Sequence, residues 1–428
     1  MTCAPPSSDA DITALREAVT ALRAQPATLA DMRAFAALAR VSQARLDQLC
    51  REHYHLSART LVDRARVESA RASLAAGVST SAAGSDAGFS SERNYTQQFL
   101  HAHGLTPSAY RELANGRIQR RPMRALILRL PAGFATVPIR HLMGRDPSAA
   151  SERVLQADGH ALSLERGFQS ADTREAGVLH LSVSGREAHL CITSRSGTPC
   201  SPALCLTAHA ITRRLLGFES HLPTLRARAR DPQCAWFAPL LAHQPGLRVP
   251  LMGSEYEALI WAILGQQVNL TFAAQLRAEL IRLAQPGLAS SDNKLLPHPT
   301  PAQVAQLDPK TLQGRRFSRS KARWVVDLSG AIVQGQLRLR ALGSAPACEA
   351  YDGLLAQKGI GDWTAQYVML RGMGLNDCVP AADAGLMRNL HGILGTQERP
   401  TAHDVARCLA PLAPARSVAC QHLWTWQA

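Results

Sequence analysis

The chain has 428 residues, a formal net charge of +14 and ten cysteines. That length exceeds one ordinary hydrophobic core, so two or three domains are expected. The surplus of basic side chains, almost all arginine, favours a polyanionic partner and is silent on fold. No apolar run approaches a membrane span. The cysteines form no Cys-x-x-Cys and no zinc-finger spacing with histidine, so no structural metal is expected. They also lack the tight run of four that holds an iron–sulfur cluster. Scattered cysteines of this kind suit a reduced cytoplasm.

Residues 1–10 are polar and proline-containing, a loose arm. From 12 to 113 the pattern is helical throughout. Residues 29–39 form an amphipathic helix, and Val41-Ser42 offers a serine N-cap for a second helix over 43–53. Helix, short turn and capped helix make a helix-turn-helix. The arrangement recurs in residues 77–87, Gly88-Phe89-Ser90-Ser91 and a helix from Glu92 bearing Arg93, Asn94, Tyr95 and Phe99. It closes with Gly104-Leu105-Thr106-Pro107-Ser108-Ala109-Tyr110-Arg111. These strings resemble the double helix-turn-helix domain of AraC-type regulators over about ninety residues. The resemblance implies DNA contacts from Arg45, Arg93 and Asn94, with promoter DNA as a partner. Two positions depart from it. Arg40 stands where the family's first turn carries glycine, and Gly84 interrupts the second scaffold helix, at a cost of roughly 1 kcal/mol relative to alanine.

Gly116 to Pro122 reads as a basic linker bounded by glycine and proline. The periodicity then switches. Residues 124–130, 161–164 and 178–183 read as strands, and Ser184-Gly185-Arg186-Glu187 turns the chain into another over 188–193. A helix over 204–216 covers this sheet, giving a small α+β domain. From 253 onward the pattern is helical again, with helices near 254–264, 270–283, 301–306, 320–334, 349–358, 363–373, 384–394, 402–409 and 417–426. The expected fold is therefore multidomain. An all-α helix-turn-helix domain (1–115) leads to an α+β sheet domain (122–240) and an all-α domain (241–428).

The last domain carries the chemistry. A short apolar helix runs into Gly359-Ile360-Gly361, and a second helix begins at once. Free N–H groups at a helix start make an anion site, which a DNA phosphate fits without sequence preference. A plain helical corner would look the same on the tripeptide alone. The longer string Gly359-Ile360-Gly361-Asp362-Trp363-Thr364-Ala365, followed by Pro380-Ala381-Ala382-Asp383, resembles the helix-hairpin-helix base-excision DNA glycosylases. The likeness is to the 3-methyladenine DNA glycosylase II branch. Pro245-Gly246-Leu247-Arg248-Val249-Pro250, the Ala262 to Val268 segment and His422-Leu423-Trp424 extend it. The whole order resembles adaptive-response regulator–glycosylase fusions without the zinc methyl-acceptor domain, since Cys3 stands alone.

The resemblance implies site roles. Asp383 is the catalytic carboxylate: base removal leaves positive charge on the sugar carbon, which a carboxylate stabilises. Its plain structural role is an N-cap for the following helix, and the two are compatible. Trp363 stands where backbone-cutting relatives carry a Schiff-base lysine, which implies a monofunctional enzyme without lyase activity. Trp363, Tyr367, Trp424 and Phe134 form the implied base pocket, and ordinary core packing is the alternative. Near Phe134 the family shows an aromatic pair, and Val137 replaces one member here. Gly359, Ile360, Gly361 and Thr364 form the DNA-binding hairpin, and Gln266 and Gln267 the wedge that fills the gap left by an extruded base. Arg315, Arg316, Arg319, Lys321 and Arg323 around Phe317 form the densest basic run, read as phosphate contacts or solvated surface.

The resulting expectation is a cytoplasmic, nucleoid-associated glycosylase for alkylated bases in double-stranded DNA. It needs no cofactor, with a monovalent cation at the hairpin as the one candidate. The rivals are a transcription regulator whose glycosylase half is a DNA clamp, and a glycosylase for oxidised or deaminated bases.

Overall fold

The computed structural model describes residues 7–29, 31–116, 126–158, 161–289 and 295–426. Residues 1–6 of the expected arm with Cys3, the linker over 117–122, and Arg124 and Ala125 of the first expected strand lie outside the described residues.

Seven helices open the described chain: Asp9–Ala24, Met32–Leu38, Gln43–Tyr54, Ala58–Ala75, Thr80–Asp86, Glu92–His103 and Pro107–Ala114. Their starts follow from side-chain chemistry. Ser8, Asp31, Ser42, Ser57, Ser79, Ser91 and Thr106 each accept a hydrogen bond from a first-turn amide, satisfying a donor that the helix leaves orphaned. Arg40 has φ +56°, the left-handed conformation that a glycine would adopt freely. Gly84 corrects the expectation drawn from helix propensity. A Cβ there would lie 2.7 Å from Cδ1 of Tyr95, so the ring of Tyr95 occupies the space that alanine would need.

Five strands form one antiparallel sheet in the order β1-β5-β4-β3-β2: β1 Leu126–Arg129, β2 Glu152–Asp158, β3 Ala161–Gln169, β4 Ala176–Ser184 and β5 Glu187–Ser194. The hairpin of β4 and β5 pairs Val183 with Ala188 across the turn expected at 184–187. Strand β2 escapes the sequence pattern because its register shifts between Val154 and Gln156, and Leu155 is 50% exposed. The helix Pro202–Leu215 lies against β3, β4 and β5. A further helix, Val137–Met143, follows Phe134. Among the described residues, every further element from Leu222 to Thr425 is helical. No described helix is long and apolar enough to cross a membrane.

Packing does not respect the expected boundary at residue 115. One apolar core runs from Leu15 to Ala65. A second joins Val67 through Leu113 to the sheet and to Leu204–Leu216. A third holds Leu222 through Leu423. The rear half of the helix-turn-helix region thus shares its core with the sheet. The sheet is in turn fastened to the third body by buried charge. Arg277 donates to Glu152 at 2.5 and 3.0 Å and to Glu257 at 2.9 Å, and Arg166 also donates to Glu257. Burial alone would raise the Glu257 carboxyl, but Arg166 and Arg277 outweigh it and hold it below the usual range.

Two helical glycines should respond oppositely to alanine. Gly84→Ala forces the Tyr95 ring aside and should destabilise by about 1–3 kcal/mol. Gly330, inside Arg319–Val333 with nothing within 4 Å of its added Cβ, should stabilise by up to about 1 kcal/mol on the same change. Denaturant melts of both variants test the pair.

Candidate active site

The hairpin joins the helix Ala347–Leu355 to the helix Asp362–Val368. Gly359 has φ +91°, and a Cβ on it would lie 2.5 Å from the indole of Trp324, so only glycine fits. Gly361 is extended at the N-cap, with open space around it. The first-turn amides beyond it have no intrahelical acceptor. Tyr351 braces this start by donating to Asp362 Oδ1 at 2.8 Å.

Not every expected hairpin residue faces outward. Ile360 is 6% and Thr364 2% exposed. The Thr364 hydroxyl accepts from Gln266 Nε2 at 2.9 Å, and the same amide donates to Gly359 O at 2.8 Å. Gln266 is therefore a strut inside the hairpin rather than part of the projecting wedge, which corrects the expectation for both Gln266 and Thr364. Gln267 is exposed and held at φ +55°. It alone of the pair projects.

Lys321 is likewise corrected. The residue is 8% exposed, and its ammonium donates to Leu264 O and Gln266 O, both at 2.8 Å, closing the C-terminal end of the helix Glu255–Gly265. Arg316 stacks over Phe272 at 4.8 Å and Arg323 pairs with Asp327 at 3.3 Å. In the helix-turn-helix region Arg45 pairs with Asp11 at 2.9 Å and has its side chain 18% exposed, so it is drawn into its own domain. Asn94 accepts from Gln98 at 3.1 Å, and Arg93 is exposed.

Asp383 is the N-cap of the helix Ala384–Leu394. Its Oδ1 accepts from the amides of Gly385 and Leu386 at 2.9 and 3.0 Å and from Trp424 Nε1 at 2.9 Å. Its Oδ2 accepts from Trp363 Nε1 at 3.4 Å. Four N–H donors thus fix the carboxylate, and Oδ2 is the less committed oxygen. Trp363 and Tyr367 stack with centroids 5.3 Å apart and planes 28° from parallel, as their i, i+4 spacing requires. Trp424 closes the group, 6.3 Å from Tyr367. Both tryptophans are half-buried.

Phe134 does not join them. It is buried in the sheet-side core, bridged to Gly246, whereas Trp363, Tyr367 and Trp424 pack against the helical core. A Cβ on Gly246 would lie 1.9 Å from Gly133 O, so only glycine admits this approach of the two backbones.

Two arginines complete the site. Arg371 lies 4.7 Å over the Trp424 ring and donates to Pro250 O at 2.8 Å. Burial lowers its pKa to about 10. Arg145 donates to the Tyr367 hydroxyl at 3.2 Å and lies 5.4 Å over Trp261. Arg371 was legible in principle, since Trp363, Tyr367 and Arg371 stand four apart on one helical line. Arg145 comes from beyond the helix Val137–Met143 and has no local signal.

Comparison with known proteins identifies the two domain families. Residues 260–414 match the HhH-GPD superfamily of base excision DNA repair proteins, and residues 35–113 match a helix-turn-helix domain family. A DNA-3-methyladenine glycosylase of Bacillus subtilis is 27% identical over 179 residues, 42% of this chain and 59% of that protein. DNA-3-methyladenine glycosylase 2 of Escherichia coli is 31% identical over 43% of this chain and 61% of its own length. A Mycobacterium tuberculosis protein named as a probable bifunctional transcriptional activator/DNA repair enzyme AlkA is 31% identical over 51% of this chain and 42% of its own. The chain therefore spans less than two thirds of these relatives, between 42% and 61% of their length. In fold it resembles a 3-methyladenine DNA-glycosylase of Archaeoglobus fulgidus, with TM-score 0.53 and 20% identity over 70% of this chain and 97% of that one. An 8-oxoguanine glycosylase/lyase of Clostridium acetobutylicum gives 0.52 at 13% identity, over 72% of this chain and 97% of that one, so fold by itself does not select the base.

The strut assignment separates the two glutamines. Gln266→Ala leaves Gly359 O and the Thr364 hydroxyl unpaired and should destabilise by about 1–3 kcal/mol, whereas Gln267→Ala should stay within about 0.5 kcal/mol of the parent. Thermal melts of the two variants decide it.

Proposed function

We propose that this chain, an AraC-type helix-turn-helix domain fused to an HhH-GPD glycosylase domain, excises alkylated bases from double-stranded DNA without cutting the backbone. The observation that carries the reading is the Asp383 carboxylate held between two indoles and two backbone amides. The two relatives named for 3-methyladenine, at 27% and 31% identity, support the choice of alkylated bases.

The hairpin amides take a DNA phosphate, and the exposed Gln267 fills the stack where the target base has left. Flipped bases are held by stacking, and N-alkylated purines carry positive charge, which aromatic faces favour. Trp363 and Trp424 supply such faces beside the carboxylate. As the C1′–N bond breaks, its electron pair leaves with the base and positive charge develops on the sugar. Asp383 stabilises that charge through Oδ2, the oxygen not tied by the helix amides. Water adds to C1′ and gives up a proton, leaving an abasic site in an intact strand. An indole at position 363 offers no amine for a Schiff base.

The helix-turn-helix region adds DNA contact. Arg93 remains exposed for it, but Arg45 is engaged by Asp11. That favours sequence-independent holding over operator reading, although the name of the M. tuberculosis relative keeps promoter DNA as the second reading.

Asp383→Asn keeps the capping oxygen and removes the charge. It should lower single-turnover base release by about 100-fold or more, while affinity for an abasic duplex changes little. Rates equal to the parent's would sink the assignment. Borohydride added during turnover should trap no covalent protein–DNA adduct, and efficient trapping would require an amine nucleophile elsewhere in the site.

A further inference from the structure

The helix-turn-helix region touches the glycosylase body close to the hairpin and the Asp383 loop. Arg16 pairs with Glu349 at 3.2 Å, and Arg23 donates to Ser344 O. Cys348 Sγ meets His53 Nδ1 at 3.7 Å, and the helices Gln43–Tyr54 and Ala347–Leu355 lie against one another. The ion pair is solvent-exposed, with side chains 46% and 34% exposed, and such pairs hold little. One contact differs in kind. His55, 6% exposed, accepts the backbone N–H of Asp377 on Nδ1 at 3.1 Å.

That amide opens the loop leading to Asp383. The Asp377 carboxylate takes a two-pronged bond from Arg416, at 2.7 Å from Nε and 2.6 Å from Nη2. Arg416 is the first residue of the helix that carries Trp424, and Trp424 Nε1 holds Asp383 Oδ1. The next amides are fastened within the glycosylase body: Cys378 N donates to Ser417 Oγ and Val379 N to Gln366 Oε1. His55 is the link through which the N-terminal region reaches this chain of bonds. Its chemistry suits a fixed acceptor. Burial lowers its pKa to about 4, which keeps the ring neutral at neutral pH, and the donated Asp377 N–H selects the tautomer with its lone pair on Nδ1. Its backbone sits at φ +59°, the left-handed cap of the helix Gln43–Tyr54, which aims the ring out of its own domain.

We infer that His55 is a positioning residue for base excision, a brace by which the helix-turn-helix region holds the Asp377 loop and so the Trp424–Asp383 pair in place. The inference rests on the glycosylase reading above. It makes the N-terminal region a structural part of the active site as well as a DNA contact.

The test uses the full chain with His55→Gly and His55→Asn. Glycine accepts the left-handed backbone and removes the acceptor. Asparagine tolerates that backbone and returns an acceptor oxygen near the position of Nδ1. Single-turnover release of methylated bases at saturating enzyme should fall about tenfold or more in His55→Gly, as small misplacements at reacting groups do. Affinity for an abasic duplex should be unchanged, and His55→Asn should restore the rate. Hydrogen exchange supplies a readout without chemistry: the Asp377 amide should exchange faster in the glycine variant and return to parental protection with asparagine. A parental rate and parental protection in His55→Gly would overturn the brace. So would an asparagine variant as impaired as the glycine one, which would mean that ring packing alone matters. If the parent protein itself releases no base, the glycosylase reading fails, and the exchange arm still decides whether His55 holds the loop.

Discussion

The site depends on one carboxylate and the four N–H groups that hold it. Asp383 caps its own helix through Oδ1 and takes the indole of Trp424 on the same oxygen, while Trp363 reaches Oδ2. Those donors come from three helices: Asp362–Val368, Ala384–Leu394 and Arg416–Thr425. The two indole bonds therefore fix interhelical relations as well as a side chain. The stacked Trp363–Tyr367 pair and the Arg371 guanidinium over Trp424 complete an aromatic enclosure around the Asp383 carboxylate. A cationic base meets attraction from the rings and the carboxylate, against which the two arginines weigh.

Around that centre buried contacts join the three bodies. The Glu257–Arg277–Glu152 cluster pins the sheet to the helical body. The second apolar core runs unbroken from the rear half of the helix-turn-helix region into the sheet. Removal of residues 1–115 would therefore strip cover from Leu126 and Leu128, which are 7% and 0% exposed. The order of domains in sequence resembles a string of separable modules, whereas the packing makes them one scaffold.

Much of this was legible in the sequence. Trp363 and Tyr367 share a helical face by spacing alone, and the proline-to-aspartate string after the hairpin marks the carboxylate. Ser42 was visible as the cap of the helix that follows it. What escaped was long-range pairing. Nothing near Gln266, Lys321 or Arg45 shows that the first ties Gly359 to Thr364, the second closes a helix end, or the third is taken by Asp11. Phe134 looked like a pocket aromatic because its neighbours resemble the family segment, and its bridge to Gly246 places it elsewhere. Strand β2 was hidden by its bulge, and Gly84 was misjudged because propensity sees the helix and not the Tyr95 ring above it. Gln266, Lys321 and Arg45 take their roles from partners 34 to 98 positions away and carry no local signature.

The central claim is that this enclosure releases alkylated bases from DNA. Incubating the full chain with methylated duplex DNA and identifying the freed bases by chromatography tests it most directly. The account predicts free N-alkylated purines and DNA strands that stay intact until the abasic sites are cleaved by alkali. Tight binding of the same DNA with no base released would contradict it and leave the helical domain as a clamp.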